Sequence, residues 1–523
     1  MLINTPNGPL EIDVDAFDLP PTFPVILPIC RALNIAQIVD EACPMKAGTH
    51  LTHGQVVEFL LLHILQSPRR LPLYKLKDWA AEHSIHELYG HPAEEFNDDR
   101  IGRTLDVISQ CIESIETAVV RRALARYSVD ARVLHWDLTH VDFSDARKTS
   151  ELVGPGYGDG QINQRQLQVS LYTTSDGGVP VMHTTLAGQA HQAPLAAGQA
   201  EQLQTRLERA DLTIVCDRAG ISYDNIVAYR EADTHFLGPL ANKGGAVYEL
   251  LGAVPQELFQ PLDYQSINSP GDVNFGYATF IQLKTQTKPD PIDVDALFVF
   301  SPRLQAKDAN DRRKQIDKAL KRLAYIGEHL NHRQYKNQAF AQRQIDKAVP
   351  DRLKPIVQTQ LTADSGQLAL HTEINDDALA QQAATDGRWI LLYDLPDGSS
   401  ADEIFRLYRR QGSIEMRFRH FNSELSVHPM WLQKDSRLEA LVLIHILALL
   451  IYALLERGSE QAGLSTEHYP KMTTREMLYR FSKTRLKQVR VSGQRPQREL
   501  VLTQEQRHIL RQLHFPDPAR YLT

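Results

Sequence analysis

The apolar run from Leu438 to Leu455 constrains the fold more than any other stretch of this chain. Its sequence is LEALVLIHILALLIYALL, which is apolar apart from Glu439 and His445. Such a run is almost long enough to span a bilayer. However, a glutamate and a histidine are costly in lipid, and no basic cluster marks one flank of the run. We therefore expect a helix in the core of a large folded protein, with a membrane span as the less favoured alternative.

The length and composition of the chain limit its class. A chain of 523 residues exceeds one ordinary core, so we expect roughly two to four domains. The net charge of -7 argues against a protein that coats nucleic acid with its whole surface. The cysteines are far apart, so neither a zinc site nor a disulfide scaffold is expected. Since the N-terminus also lacks the pattern of a signal peptide, we predict a cytoplasmic protein.

Positive charge is concentrated in two places. Residues 303–354 contain 14 Lys or Arg against 6 Asp or Glu. This stretch is typical of a solvated helical hairpin, and a surface that follows nucleic-acid phosphates is the alternative. The second place is the segment 483–498 in the C-terminal tail, which has no acidic residue. It could contact phosphates or be a solvated end.

The periodicity of the sequence divides the chain into five parts. Residues 1–128 are expected to form a helical N-terminal region, in which Thr52 and Gln55 have the spacing of a capping box and 101–127 is one long helix. The region could bind DNA or simply pack. From Ala131 the pattern becomes extended, and strands alternating with helices through 129–242 predict an α/β layer with a mixed sheet. Within it, the turn sequence at 176–178 predicts a β-hairpin. Residues 243–385 interrupt this pattern as an insertion domain, 386–460 resume it, and 461–523 form a basic tail.

Three carboxylates occupy positions where charge is unfavourable. Asp137 lies inside the predicted strand VLHWDLT, and Asp217 ends the apolar strand LTIVCD. Glu415 borders the apolar face of one predicted helix that runs from Tyr408 to Asn422. Taken singly, each aspartate is more simply explained as a turn cap or as the partner of a nearby arginine such as Arg218.

Taken together, the same three acids could converge on a pair of divalent cations. Carboxylates are the ligands of hard cations such as Mg²⁺, and two such ions can stabilise both oxygens of a phosphoryl displacement. Asp142 and Asp394 are rival ligands of lower rank. Asp142 falls on the opposite strand face from Asp137, and Asp394 lies outside the motifs described next.

These motifs resemble those of the DDE-type transposases of bacterial insertion sequences. The family has Asp-x-Thr on its first strand, Asp-Arg/Lys-Gly-like sequence after a later strand, and Tyr-x2-Arg-x3-Glu-x6-Lys on a late helix. Here WDLTHVDF matches at Asp137 and Thr139, VCDRAG matches at Asp217, and the third motif matches at Tyr408 and Glu415. The resemblance implies an RNase H-like mixed-sheet core interrupted by an insertion domain.

The resemblance also implies an activity and its partners. It predicts Mg²⁺-dependent cleavage at element ends and strand transfer, with Asp137, Asp217 and Glu415 as catalytic metal ligands for two ions, Mn²⁺ being a possible substitute. The partners would be double-stranded DNA, as terminal inverted repeats and as target, and a second copy of the chain, without a membrane. In the bacterial cytoplasm the protein would associate with the nucleoid. Residues expected to contact DNA are Tyr408, Arg410, Arg419, Arg218 and Asn422.

The third motif departs from the family pattern at two basic positions. Gln411 stands where the family has arginine, with Arg410 displaced by one residue, and Asn422 stands where the family has lysine. These departures motivate an alternative hypothesis, a catalytically inactive DNA-binding protein derived from a transposase. A further alternative is a metal-dependent nuclease that hydrolyses DNA without joining ends.

Overall fold

A computed structural model describes residues 2–523 except 6–7, 46–47, 67–70, 144–149, 159–160, 191–194, 242–244, 266–270, 285–289, 365, 426–431, 468, 482–483 and 492–496. The chain forms two compact units. The first contains residues 1–220, 224–235 and 410–523, and the second contains residues 221–223 and 236–409. Part of the basic segment 483–498 and the stretch 426–431 after Glu424 lie outside the described residues.

The N-terminal part of the first unit is a hairpin followed by helices. The hairpin consists of β1 (Leu2–Thr5) and β2 (Gly8–Asp18). The helices are α1 (Phe23–Ala32), α2 (Ile35–Ala42), α3 (His53–Gln66), α4 (Leu76–Glu82), α5 (His86–Tyr89), α6 (Asp98–Ile108) and α7 (Ile112–Tyr127). At the start of α3, Thr52 and Gln55 exchange side-chain hydrogen bonds of 3.0 and 2.8 Å with each other's N–H groups, which confirms the predicted capping box.

The prediction of a single helix over 101–127 is wrong, because the chain breaks between α6 and α7. At the break the hydroxyl of Ser109 donates a hydrogen bond of 2.9 Å to the carbonyl of Asp106. A serine that bonds its own backbone offers the chain an alternative to helical hydrogen bonds. The thiol of Cys111 also points to the carbonyl of Ala42 at 3.2 Å, which fastens the break to the end of α2.

The mixed sheet of the first unit follows the helices. Its elements are β3 (Val133–Phe143), β4 (Gly154–Gly158), β5 (Gln161–Thr174), β6 (Pro180–Ala187), α8 (Leu195–Gly198), α9 (Ala200–Leu207), β7 (Thr213–Cys216) and α10 (Tyr223–Glu231). β5 pairs antiparallel with β3, β4 and β6, whereas β3 pairs parallel with β7. The predicted strands, hairpin and mixed α/β character of this region are therefore confirmed.

Two glycines make the turn between β5 and β6 possible. Gly177 and Gly178 have φ angles of 80° and 60°, in the left-handed region that favours glycine. A Cβ on Gly178 would also lie 2.7 Å from Nε of Arg417. The turn is therefore both left-handed and closely approached by a side chain from a distant part of the sequence.

The second unit contains an antiparallel sheet and a helical hairpin. Its elements are β8 (His235–Pro239), α11 (Gly245–Ala253), β9 (Gln260–Leu262), β10 (Asn274–Leu283), β11 (Ile292–Phe300), α12 (Pro302–His329), α13 (Gln338–Ala348), β12 (Val357–Asp364), β13 (Gln367–Ile374), α14 (Asp376–Ala383), β14 (Arg388–Asp394) and α15 (Ala401–Arg409). The sheet order is β8-β14-β11-β10-β9, while β12 and β13 form a separate pair. The predicted basic helical hairpin is α12 with α13, and its apolar side packs in a core with β12 and β13.

The chain then returns to the first unit and completes its core. The remaining elements are α16 (Gly412–Arg419), a π-helical turn (His420–Glu424), α17 (Asp435–Gln461), α18 (Thr474–Arg480), β15 (Arg485–Val491), β16 (Gln497–Val501) and α19 (Gln504–Gln512). β15 pairs with β2, which joins both ends of the chain in one small sheet. By length and composition α17 could cross a membrane, but 94% of its apolar window is buried inside the protein. It packs against α1, α3, α6 and α7, as expected of a core helix.

Candidate functional site

Two of the three candidate acids lie on neighbouring strands of the first unit. Asp137 is in β3, and Asp217 directly follows β7. In the parallel pairing of β3 and β7, Trp136 is opposite Cys216. Asp137 and Asp217 are the residues that directly follow this pair on the two strands. Their side chains therefore emerge at the same level of the sheet, beyond the carboxyl end of β7, where ligands collect in α/β sheets.

The third acid, Glu415, is carried to the same strand by α16, which packs against β3. At the start of α16, Gln411 donates its Nε2–H to the carbonyl of Trp136 at 2.9 Å. After the helix, Asn422 donates its Nδ2–H to the hydroxyl of Thr139 at 3.1 Å. The two hydrogen bonds lie on either side of Asp137 along the strand, and Glu415 lies between their donors along the chain.

The electrostatics of Asp137 show that the three acids are close enough to interact. The pKa of Asp137 is raised from 3.8 to about 7, mainly by burial and to a smaller extent by the carboxylates of Asp217 and Glu415. The hydrogen bond from the N–H of Leu138, at 2.8 Å, acts in the opposite direction but is outweighed. A half-buried carboxyl surrounded by like charges is disfavoured in its ionised form. A bound cation would relieve this cost.

The oxygens of the acids have few protein partners. Asp137 accepts the N–H of Leu138, and Asp217 accepts the N–H of Ala219 at 2.9 Å. Asp217 therefore caps the turn after β7, as the simpler interpretation of its position expects. Within the described residues, no Lys, Arg or His forms a salt bridge with Asp137, Asp217 or Glu415. Pairing with Arg218 is thus not observed.

The acids do not form a preassembled metal cage. Among the residues that the structure describes, no group of three or more His, Cys, Asp or Glu side chains is close enough to hold a metal ion. The donor set nevertheless fits a hard divalent cation in its chemistry, because all three groups are carboxylates on adjoining elements. Glu415 is exposed and its helix is short, so a small movement of its side chain is sterically open.

A buried ion pair supports the position of α16. Arg417 donates to Glu456 of α17 at 2.6 Å and to the carbonyls of Gly177 and Gly178 at 2.7 and 3.0 Å. Charged groups this deeply buried require such complete pairing. The helix that carries Glu415 is therefore held against both the β5–β6 turn and the core helix.

The residues expected to contact DNA are distributed unequally. Arg218, Arg410 and Arg419 are exposed in the first unit, and Arg410 makes a long contact of 3.4 Å with the hydroxyl of Ser175. Tyr408 and the rival ligand Asp394 both belong to the second unit. Tyr408 lies in α15 and Asp394 in β14. Asp142 is in β3, on the strand face opposite to Asp137 as expected.

One prediction about this region is wrong. The expected continuous helix from Tyr408 to Asn422 is divided into α15, α16 and the π-helical turn, with the break at Arg410 and Gln411. Gly412 follows the break and lowers helix propensity there. At the break, the side chain of Gln411 turns inward and forms a hydrogen bond with β3.

His135 was not singled out from the sequence, although it belongs to this site. It is fully buried, and its Nδ1 lies 2.9 Å from Oε1 of Gln411. Burial lowers the pKa of His135 to about 4, so the ring is neutral at physiological pH and can donate Nδ1–H to Gln411. The sequence feature that could have identified His135 is its position two residues before Asp137, which places both side chains on the same face of the strand.

Part of the chain matches a protein family, and the structure has a likeness to a solved structure. Residues 21–115, from α1 into α7, match a family described as a domain of unknown function, DUF4277. A cryo-electron microscopy structure of a piggyBac transposase synaptic complex with hairpin DNA aligns with 88% of this chain and 76% of that chain, with 9% sequence identity and a TM-score of 0.39. No curated protein matches the sequence.

Proposed function

We propose that this protein is a DDE-type transposase that cleaves DNA at the ends of its own element and joins them to target DNA. The observation that carries the proposal is that Asp217 and Glu415 lie near enough to Asp137 in the first unit to raise its pKa. They come from distant parts of the sequence, yet β3–β7 pairing and α16 packing bring them together. The three segments are also those that carry the family motifs in the sequence, and their arrangement is compatible with an RNase H-like core.

In this proposal the three carboxylates hold two Mg²⁺ ions, with Mn²⁺ as a possible substitute. When bound, such ions supply an activated water and stabilise charge on the phosphodiester. Asp137 and Asp217 keep their orientation through the N–H groups of Leu138 and Ala219. The hydrogen bonds of Gln411 and Asn422 keep α16 against β3, so that Glu415 faces the same strand.

Positive side chains would hold the DNA strands. Arg218, Arg410 and Arg419 are exposed and belong to the segments that carry the acids, so their guanidinium groups are available to phosphate oxygens. The basic face of α12 in the second unit would add sequence-independent attraction. Because two element ends must be processed, we propose that the protein acts as a homodimer on inverted-repeat DNA.

The proposal is tested with DNA that carries the genomic sequences flanking this coding region. We expect cleavage that requires Mg²⁺ or Mn²⁺ and is lost in Asp217→Asn and Glu415→Gln. Asp142→Asn is the matched control, since it removes one carboxylate from the same strand region but should retain activity. Equal cleavage by the parent protein and by Asp217→Asn would exclude this site.

A catalytically inactive DNA-binding protein is the second candidate, and one observation favours it. Both residues at the basic motif positions, Gln411 and Asn422, are uncharged and use their amides to bond β3. Neither offers a cation to phosphate. This candidate predicts salt-dependent DNA binding without metal-stimulated cleavage. A strand-transfer assay further separates a transposase from a nuclease that only hydrolyses DNA.

A further inference from the structure

A cavity in the first unit, away from the three acids, is lined by the side chains expected of an anion-binding site. It has a volume of about 870 Å³ and opens between α1, α7, α17 and the C-terminal segment 512–521. This volume lies within the range of small-molecule sites. Four arginines line it, whereas no aspartate or glutamate does. It shares no residue with the acidic cluster formed by Asp137, Asp217 and Glu415. The arginines are Arg31, Arg122, Arg126 and Arg520.

One of the four charges is already compensated. Arg31 lies 3.0 Å from the carboxylate of Glu58, which is fully buried behind it. Arg122 instead donates its Nε–H to the carbonyl of Ala32, the last residue of α1, at 2.9 Å, which orients its guanidinium group without pairing it with a carboxylate. A backbone carbonyl fixes an arginine without neutralising it.

The other two guanidinium groups are stacked and exposed. Arg126 lies over the ring of Tyr127 at 5.8 Å, and Arg520 lies over the ring of Tyr521 at 5.9 Å. Within the part of the chain that the structure describes, neither forms a salt bridge with an acid. In a protein with a net charge of -7, a cavity with three uncompensated arginines is a local concentration of positive charge.

The remaining wall of the cavity is apolar and aromatic. Tyr127, Phe515 and Tyr521 contribute rings, and Leu454 and Leu513 contribute aliphatic surface. An inorganic anion alone would gain little from such a wall. A ligand that combines a phosphate with a flat ring would use both halves of the cavity, because guanidinium groups match phosphate oxygens and nucleobases stack on aromatic side chains.

We infer that this cavity binds a nucleotide, with the phosphate on Arg122, Arg126 and Arg520 and the base against the aromatic wall. The nucleotide could be free or could be a unit of a single DNA strand, and the recognised chemistry is the same. This site is independent of the proposed transposase activity, since it needs neither the acidic cluster nor a metal ion.

The inference is tested with the full chain in EDTA, so that failure of the metal site cannot affect the result. Two probes are used, a fluorescein-labelled single-stranded oligonucleotide of about ten nucleotides and deoxyadenosine monophosphate. We expect Arg126→Ala and Arg520→Ala each to weaken binding by about tenfold, because each removes a charged phosphate contact. Both side chains are exposed, so folding should be retained, which circular dichroism and thermal melting would verify.

Arg511→Ala is the matched control. Arg511 is an exposed arginine of the adjoining α19 that does not line this cavity, and its substitution removes the same charge. Binding of either probe that is weakened by the cavity variants but not by this control supports the inference, and comparison of the two probes identifies the source of the nucleotide. The inference is overturned if neither probe binds, if Arg511→Ala weakens binding equally, or if inorganic phosphate competes as well as the nucleotide.

Discussion

The side-chain amide of Gln411 lies 2.9 Å from the imidazole of His135, and both side chains are buried. The same amide donates to the carbonyl of Trp136, so a single residue joins the start of α16 to two consecutive positions of β3. Because His135 is neutral, this connection uses no charge. Gln411 therefore has a structural role, because it holds the start of α16 against β3.

We predict that Gln411→Ala destabilises the first unit. The substitution leaves the carbonyl of Trp136 and the imidazole of His135 without their partner, and each unsatisfied buried group costs about 1–3 kcal/mol. Urea denaturation followed by tryptophan fluorescence measures the loss. Gln110→Ala, which removes an exposed glutamine amide, is the control and should change stability by less than about 0.5 kcal/mol. Equal effects of the two substitutions would contradict the assigned role.

The contact between Asn422 and Thr139 predicts a measurable coupling energy. In a double-mutant cycle with Asn422→Ala and Thr139→Val, we expect a coupling of about 1 kcal/mol in the free energy of unfolding, which is typical of a neutral hydrogen bond. We also expect each single variant to bind Mg²⁺ or Mn²⁺ more weakly, since α16 is then less firmly held. Strict additivity in the cycle would show that the two side chains do not interact in solution.

The pKa of Asp137 should respond to its acidic neighbours. Because Asp217 and Glu415 both raise it, Asp217→Asn and Glu415→Gln should each lower the pKa of Asp137 from about 7. It should remain above the ordinary value of 3.8, since burial is the largest cause of the shift. Carboxyl carbon NMR in EDTA measures this titration. Asp142→Asn is the control. If the pKa of Asp137 is unchanged in both test variants, Asp217 and Glu415 do not lie close to Asp137.

Buried Glu58 predicts a pH dependence of stability. Burial raises the pKa of Glu58 from 4.5 to about 7, and Arg31 opposes this only in part. Between these values the folded state holds a proton that the unfolded state has released, so stability falls as pH rises from 4.5 to 7, by roughly 3 kcal/mol. Above pH 7 this contribution is constant.

Chemical denaturation at a series of pH values tests this prediction against Glu58→Gln. The amide cannot ionise, so the variant should lack this part of the pH dependence. If the parent protein and Glu58→Gln show the same slope between pH 4.5 and pH 7, the carboxyl of Glu58 is not the responsible group. Arg31→Gln is a useful companion, because loss of the opposing charge should raise the pKa of Glu58 further.

Much of the local structure was predictable because its causes are close together in the sequence. Alternation within 133–143 predicts β3, the apolar run after Leu212 predicts β7, and the glycine pair at 177–178 predicts the hairpin turn. The buried helix α17 was predictable for a related reason, since so long an apolar run can be stable only away from water. The spacing of the motif residues likewise singled out the three acids. Their role as metal ligands stays a proposal.

Only the tertiary structure determines how these parts meet. The parallel register of β3 and β7 places Asp217 beside Asp137. The hydrogen bonds of Gln411 and Asn422 attach the segment around α16 to β3. Each of these contacts joins segments that are far apart in the chain. The arginine-lined cavity likewise combines side chains from α1, α7 and the C-terminal end. Periodicity reports which face of an element is buried, but not which distant element covers it, because that choice depends on the packing of the whole unit.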